Sequence, residues 1–225
     1  MSPEAADTFG LKELEIEENR VALDAALKIG YFYLCRASEY IRSGVPDYSK
    51  IMRGLDVRLR CEGSQAQASG VPDRLDVQFR KTKADQAAFG CVRTHYRVSD
   101  GPMEQLCVVR AVQQLRDVCP ERWAAEAPLP LCRWKNGALI RREELQKVLT
   151  RAAEAVGLPP ARFRSHSLRI GGASAMLHAT NQFELVKRFG RWSSDAVHGY
   201  LHESAEQWHG LADKMARDRS AVHYT

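Results

Sequence analysis

Two short stretches concentrate the residues able to do chemistry. The first is Ser165-His166-Ser167-Leu168-Arg169-Ile170-Gly171-Gly172-Ala173. The second is Gly190-Arg191-Trp192-Ser193-Ser194-Asp195-Ala196, with Tyr200 shortly after it. His166 and Arg169 stand three apart, so a helix carries them on one face. The small residues behind them let that helix sit deep in the protein. A buried arginine and histidine then need an anion or a carboxylate to satisfy them. HxxR alone is a weak signal that reads more readily as a pair capping a neighbouring helix. The charge pattern adds weight to an anion. Residues 155–194 carry Arg162, Arg164, Arg169, Lys187, Arg188 and Arg191 against the single acid Glu184. A basic face confined to one segment is the footprint of a nucleic-acid partner, and its bland rival is a solvated helix face.

The elements that must position these groups are legible in part. Leu11 to about Arg42 reads as helix, broken near Gly30 and stopped by Gly44 and Pro46. Three stretches then alternate with period two. Leu55, Val57, Leu59 and Cys61 form the first apolar set. Leu75, Val77 and Phe79 form the second, and Val92, Thr94, Tyr96 and Val98 the third. Such alternation predicts half-buried strands, here a small antiparallel sheet. EGSQAQASGVP reads as the first connection and KTKADQAAFG as the second, which places Lys81 and Lys83 near a hairpin tip. The remainder reads as helices: Pro102 to Cys119, Arg141 to Val156, Ser167 to Ala179 and Phe183 to Phe189. Ser193 and Ser194 are N-cap candidates for another helix running through Tyr200.

With 225 residues, 44% hydrophobic and 27% charged, the chain has an ordinary globular composition and is long enough to bury a core. Its net charge of +5 is a weak global hint of a polyanionic partner. Six cysteines, the closest pair 12 apart, have no zinc-site spacing and read as reduced thiols. No apolar run is long enough to span a membrane, and MSPEAADTFG has no secretory pattern. These features give an intracellular protein with no membrane partner and no structural metal as the expectation.

HSLRIGGAS, then GRWSSDA, then a tyrosine resembles the catalytic motif of the tyrosine recombinases, the phage-integrase family, and most of all its eukaryotic, mobile-element-associated branch. Arg36-Ala37-Ser38-Glu39 resembles the family's first arginine motif, Lys83 in Arg80-Lys81-Thr82-Lys83 stands where a hairpin lysine is expected, and Leu106-Cys107-Val108-Val109-Arg110-Ala111 has the look of a family helix. The resemblance runs from about residue 20 to residue 205. It implies an α+β, mostly helical catalytic core with a small three-stranded antiparallel sheet, extending over residues 11–210 between tails at 1–10 and 211–225. It departs from the family in two ways. Trp192 and Tyr200 are one residue closer than in most bacterial and phage members, and the usual N-terminal core-binding domain is absent from this sequence.

The chemistry implied is DNA strand cleavage and rejoining. Arg36 and Arg169 would neutralise a phosphodiester by bidentate hydrogen bonding. Tyr200 would attack phosphorus, a hydroxyl of pKa about 10 that needs nearby cations to ionise. Lys83, with Lys81 as the alternative, would protonate the leaving 5′-oxygen. His166 would accept a proton and bond the phosphate, Trp192 would donate its indole N–H, and Glu39 would orient the network. Arg162, Arg164, Lys187, Arg188 and Arg191 would contact the DNA backbone. The resemblance implies double-stranded DNA as partner, a tetramer when assembled on it, no cofactor and, in a eukaryote, a nuclear location. A non-catalytic DNA-binding relative, a domesticated interaction protein and a type IB topoisomerase are the rivals. Arg36 as a surface arginine paired to Glu39 or Glu18, and Tyr200 as a packed core tyrosine, are the local ones.

Overall fold

The computed structural model describes residues 12–81, 90–98, 101–126 and 128–194. A 3-10 turn at Lys12–Glu15 leads into α1 (Glu17–Phe32), whose buried Val21, Leu23, Ala25, Ala26 and Ile29 enter the main core. The chain then breaks at Tyr33–Arg36 and makes one further turn, α2 (Ala37–Tyr40). The break is not at Gly30, as expected. Gly30 lies inside α1, where a Cβ would come within 2.5 Å of the Tyr40 hydroxyl. The helix ends instead at Phe32, and Leu34, with a φ of 51°, turns the chain. Leu34 thereby enters a second small core with Ala173, Leu177 and Val186.

The sheet is as expected in number, order and direction. β1 (Val57–Arg60), β2 (Arg74–Phe79) and β3 (Cys91–Tyr96) pair antiparallel in the order β1-β2-β3. The first connection is not wholly loop: it contains α3 (Ser64–Ser69), closed by Gly70. In β3 the faces are the reverse of the apolar pattern. Val92 and Tyr96 are exposed, while Arg93 and His95 lie on the opposite face, paired with the buried Val77 and Leu75. His95 packs edge-on against Phe32 and Tyr33 and tilts against Phe189, with Nε2 2.7 Å from the Phe32 carbonyl. Arg93 donates to the carbonyls of Phe189 and Arg188, closing the end of a helix across the molecule. In β2 the alternation also gives way, since Asp76 is buried. Period two fixes that neighbours point oppositely, and which set points inward depends on what the inner partners require.

Four further α-helices lie among the described residues, with short 3-10 turns between elements: α4 (Val108–Val118), α5 (Arg142–Ala155), α6 (Ser165–Thr180) and α7 (Phe183–Phe189). α4 packs on α1 and the sheet, and α6 packs on α1, α5 and α7. The α1–α6 approach is close because Gly172 meets the main chain of α1. A Cβ there would stand 2.1 Å from the Tyr31 carbonyl oxygen. The small-residue run after Arg169 is thus what seats α6 deeply. None of the described helices is long and apolar enough to cross a membrane.

Candidate active site

Arg169 lies one turn into α6 on the face that turns inward with Gly172, Ala173 and Leu177, and it is 2% exposed. Its Nη2 donates to the Gly190 carbonyl at 2.7 Å, and its guanidinium lies 4.2 Å from the Trp192 ring centroid. The indole has room because residue 190 is glycine, where a Cβ would overlap the ring at 1.6 Å. Nη1 of Arg169 is buried and has no hydrogen-bond partner among the described residues. Withdrawal from water, then the nearby Arg36 charge, pushes the Arg169 pKa down to about 10, so it is still a cation at neutral pH.

Arg36 arrives from the other end of the sequence, as the residue that opens α2. Its Nη2 reaches the carbonyl of Arg191 at 3.4 Å, next along the chain from the carbonyl that holds Arg169. The two guanidiniums therefore share one turn. Arg36 keeps a quarter of its side chain exposed, and its Nη1 bonds Glu39 Oε1 at 3.1 Å. Glu39 is buried, and its Oε2 accepts from the Arg36 N–H at 2.8 Å and from Arg191 Nη2 at 2.7 Å. Burial alone would push the Glu39 carboxyl up. Arg191, the Arg36 N–H and the Arg36 guanidinium outweigh it and hold the group below its ordinary range.

His166 sits at the start of α6, three residues before Arg169. The residue is exposed, yet partial withdrawal of its ring from water lowers its pKa, and the charges of Arg169, Arg142 and Arg36 lower it further. These influences favour the neutral imidazole, the form that can accept a proton. Arg142, on α5, belongs to this electrostatic neighbourhood and was not singled out in the sequence, where it reads as one more exposed helix charge.

The expected residues divide as follows. Arg36, Glu39, His166, Arg169 and Trp192 come together. Arg162, Arg164 and Arg188 are exposed and Lys187 is half-buried. Arg191 is not a surface cation. It is 6% exposed and its guanidinium is enclosed by protein, which corrects its assignment as a DNA contact. Lys83 and Tyr200, like the expected helix from Ser193 through Tyr200, lie outside the described residues; Lys81, the alternative to Lys83, is half-buried at the end of the sheet. Among the described residues no group of three or more His, Cys, Asp or Glu is placed to hold a metal ion.

The fold that carries these residues is known in solved structures. The chain is similar to the XerH site-specific recombinase bound to difH substrate in a pre-cleavage complex, with a TM-score of 0.56, and to the same recombinase bound to palindromic difH in a post-cleavage complex, with a TM-score of 0.59. Identity is 14% in both. The matches cover 94% and 96% of this chain and 53% and 52% of theirs, so the chain spans about half the length of those recombinases. The likeness is one of fold: the chain has the tyrosine recombinase fold, with its small three-stranded antiparallel sheet. No family model matches the sequence, and no curated protein matches it.

Proposed function

We propose that this chain cleaves and rejoins DNA strands through a covalent phosphotyrosyl intermediate, as a recombinase or integrase of the mobile-element type, with residues 11–210 as its catalytic domain. The observation that carries the reading is the meeting of Arg36 and Arg169. They are 133 residues apart, yet they hold consecutive carbonyls of one turn, and a buried Arg169 nitrogen is left with a donor to offer. A phosphodiester supplies what such a pair lacks. Charge builds on its nonbridging oxygens as attack proceeds, and preorganised cations withdrawn from water stabilise that charge more than the ground state.

The remaining roles follow from the chemistry. Tyr200 attacks phosphorus through its hydroxyl oxygen. The P–O5′ bond breaks as the tyrosyl–phosphorus bond forms. The tyrosine proton passes to a nearby base, for which neutral His166 is suited. The leaving 5′-oxygen takes a proton from Lys83, or from Lys81 in its place. Trp192 packs on Arg169 and offers its indole N–H toward the phosphate, while Glu39 orients Arg36. Arg162, Arg164, Lys187 and Arg188 hold the flanking duplex, on which four copies assemble. The new ester conserves the energy of the broken one, so rejoining needs no nucleotide.

The test is a suicide duplex, nicked so that the leaving strand escapes. Wild type should form a protein–DNA adduct that survives denaturing electrophoresis, and Tyr200→Phe should form none while binding the duplex as before. An adduct persisting in Tyr200→Phe would move the nucleophile elsewhere, with Tyr96 or Tyr224 next in line. Binding without any adduct, on a pool of element-end sequences, would leave a DNA-binding relative without catalysis.

A further inference from the structure

Arg191 stands between a glycine and a tryptophan in the motif and reads there as one more cation for DNA. Its surroundings give it different work. Its φ is 62°, in the left-handed region that glycine enters freely and that costs other residues about 1–2 kcal/mol. An arginine held there has compensation in its contacts. Nη1 donates to the Tyr33 carbonyl at 3.1 Å and Nη2 to the Leu34 carbonyl at 3.3 Å. The guanidinium lies 3.6 Å from the centroid of Phe79 at the end of β2. One side chain therefore ties the α1–α2 break, the sheet and the turn after α7.

Its bond to Glu39 matters most. The carboxylate is divided: Oε2 serves Arg191 and the Arg36 main-chain N–H, and Oε1 serves the Arg36 guanidinium through Nη1 at 3.1 Å. Arg36 is thus denied the two-pronged closure on Glu39 that arginine and carboxylate favour. Three guanidiniums, Arg36, Arg169 and Arg191, face one carboxylate, which leaves a surplus of two positive charges in a site withdrawn from water. Removing Arg191 would halve the surplus and give Glu39 to Arg36 alone.

We infer that Arg191 is a positioning residue: by occupying one oxygen of Glu39 and fixing the turn whose carbonyls hold Arg36 and Arg169, it keeps both guanidiniums available to one tetrahedral oxyanion. This rests on the reading of the Arg36–Arg169 pair as a phosphate seat.

The experiment measures tungstate affinity by calorimetric titration on the full chain, tungstate being a tetrahedral oxyanion of phosphate's shape. Arg191→Met should weaken binding about tenfold, a coupling of ordinary size for residues in one ionic network. Adding Glu39→Gln to it should recover part of the loss, since Arg36 is then no longer captured. A double variant that binds as weakly as the product of the two single losses would overturn the inference, as would Arg191→Met binding like wild type. If Arg191→Met does not fold, Arg191→Lys takes its place with the same double-variant comparison. Arg169→Ala separates the two levels. If it too leaves tungstate affinity unchanged, the phosphate seat itself is wrong. If it destroys binding while the Arg191 variants do not, only the positioning role falls.

Discussion

Two clusters in this molecule are built of the same parts and differ in what they can do. On the sheet, Asp76 accepts from Arg60 at 3.0 Å, Arg74 at 2.8 Å and Thr94 at 2.7 Å. At the turn after α7, Glu39 accepts from Arg36 and Arg191, with Arg169 beside them. Each has a buried carboxylate ringed by arginines. On the sheet, however, Arg60 is half exposed, and Arg74 takes a second carboxylate, Glu62. Its charge is balanced or bathed in water, where an ion pair contributes little. At the turn, Arg169 and Arg191 are enclosed. Arg169 Nη1 is the one terminal guanidinium nitrogen among the described residues that is buried without a partner. An unsatisfied buried donor costs about 1–3 kcal/mol, which an incoming anion returns. What separates these two clusters is therefore enclosure and an unmet terminal guanidinium donor, not the number of arginines.

The sharpest way to break this comparison is to cut both clusters. Arg169→Ala should lower the rate of adduct formation by about 10²–10³, the usual consequence of losing one preorganised donor at a developing charge. Arg74→Ala should leave it within about twofold, since its charge lies in the screened cluster. Equal losses, read in single-turnover assays, would erase the distinction.

Packing behind the site gives a second contrast. Gly172→Ala drives a methyl into the Tyr31 carbonyl and should destabilise the fold by about 1–3 kcal/mol in denaturant titrations. Gly171→Ala meets the Tyr31 ring at an ordinary 3.5 Å and should be neutral or stabilising by up to about 1 kcal/mol through helix propensity.

A smaller effect concerns pH. His166 and His95 both have folded pKa values below the ordinary ~6.5, each first through withdrawal from water. The fold favours their neutral forms. Their contribution to stability is thus complete above about pH 6.5 and is lost as pH falls through the lowered folded values. Adduct formation should be level in its His166 dependence above that pH and decline in acid. In Arg36→Gln, which removes one of the charges that depress His166, the acid limb of whatever activity persists should shift upward. A limb fixed in place would remove His166 from the cluster.

Surface charge should matter least per residue. Arg162→Ala, Arg164→Ala and Arg188→Ala should each reduce the salt dependence of duplex binding by about one phosphate contact or less. Arg191→Ala should not share this signature, because its guanidinium does not reach the surface.

How far these differences were legible in the sequence varies by residue. His166 and Arg169 were, because three-residue spacing on a helix is local geometry. The small residues behind them pointed to a deep helix, and Gly172 shows the reason. The three strands were legible from alternation, but the inward face of β3 was not. His95 and Arg93 face inward because the Phe32 carbonyl and the end of α7 need donors there, and both lie far away in sequence. Arg191 misled for the same reason. Its neighbours in the chain suggest a basic surface, whereas its burial follows from Glu39, 152 residues earlier. Gly30 reads as the break in the helix because glycine ordinarily weakens one. Here its missing Cβ makes room for Tyr40, and Leu34 takes the turn.

The central claim, that the enclosed arginines form an oxyanion seat and the sheet arginines do not, is tested most directly by thermal unfolding in rising tungstate. A ligand that binds only the folded state raises the transition temperature with concentration. Wild type should rise, and the double variant Arg60→Ala/Arg74→Ala should rise in parallel with it from its own baseline. Arg36→Ala/Arg169→Ala should stay flat. A flat wild type, or a rise that persists in Arg36→Ala/Arg169→Ala and vanishes in the sheet variant, would contradict the account.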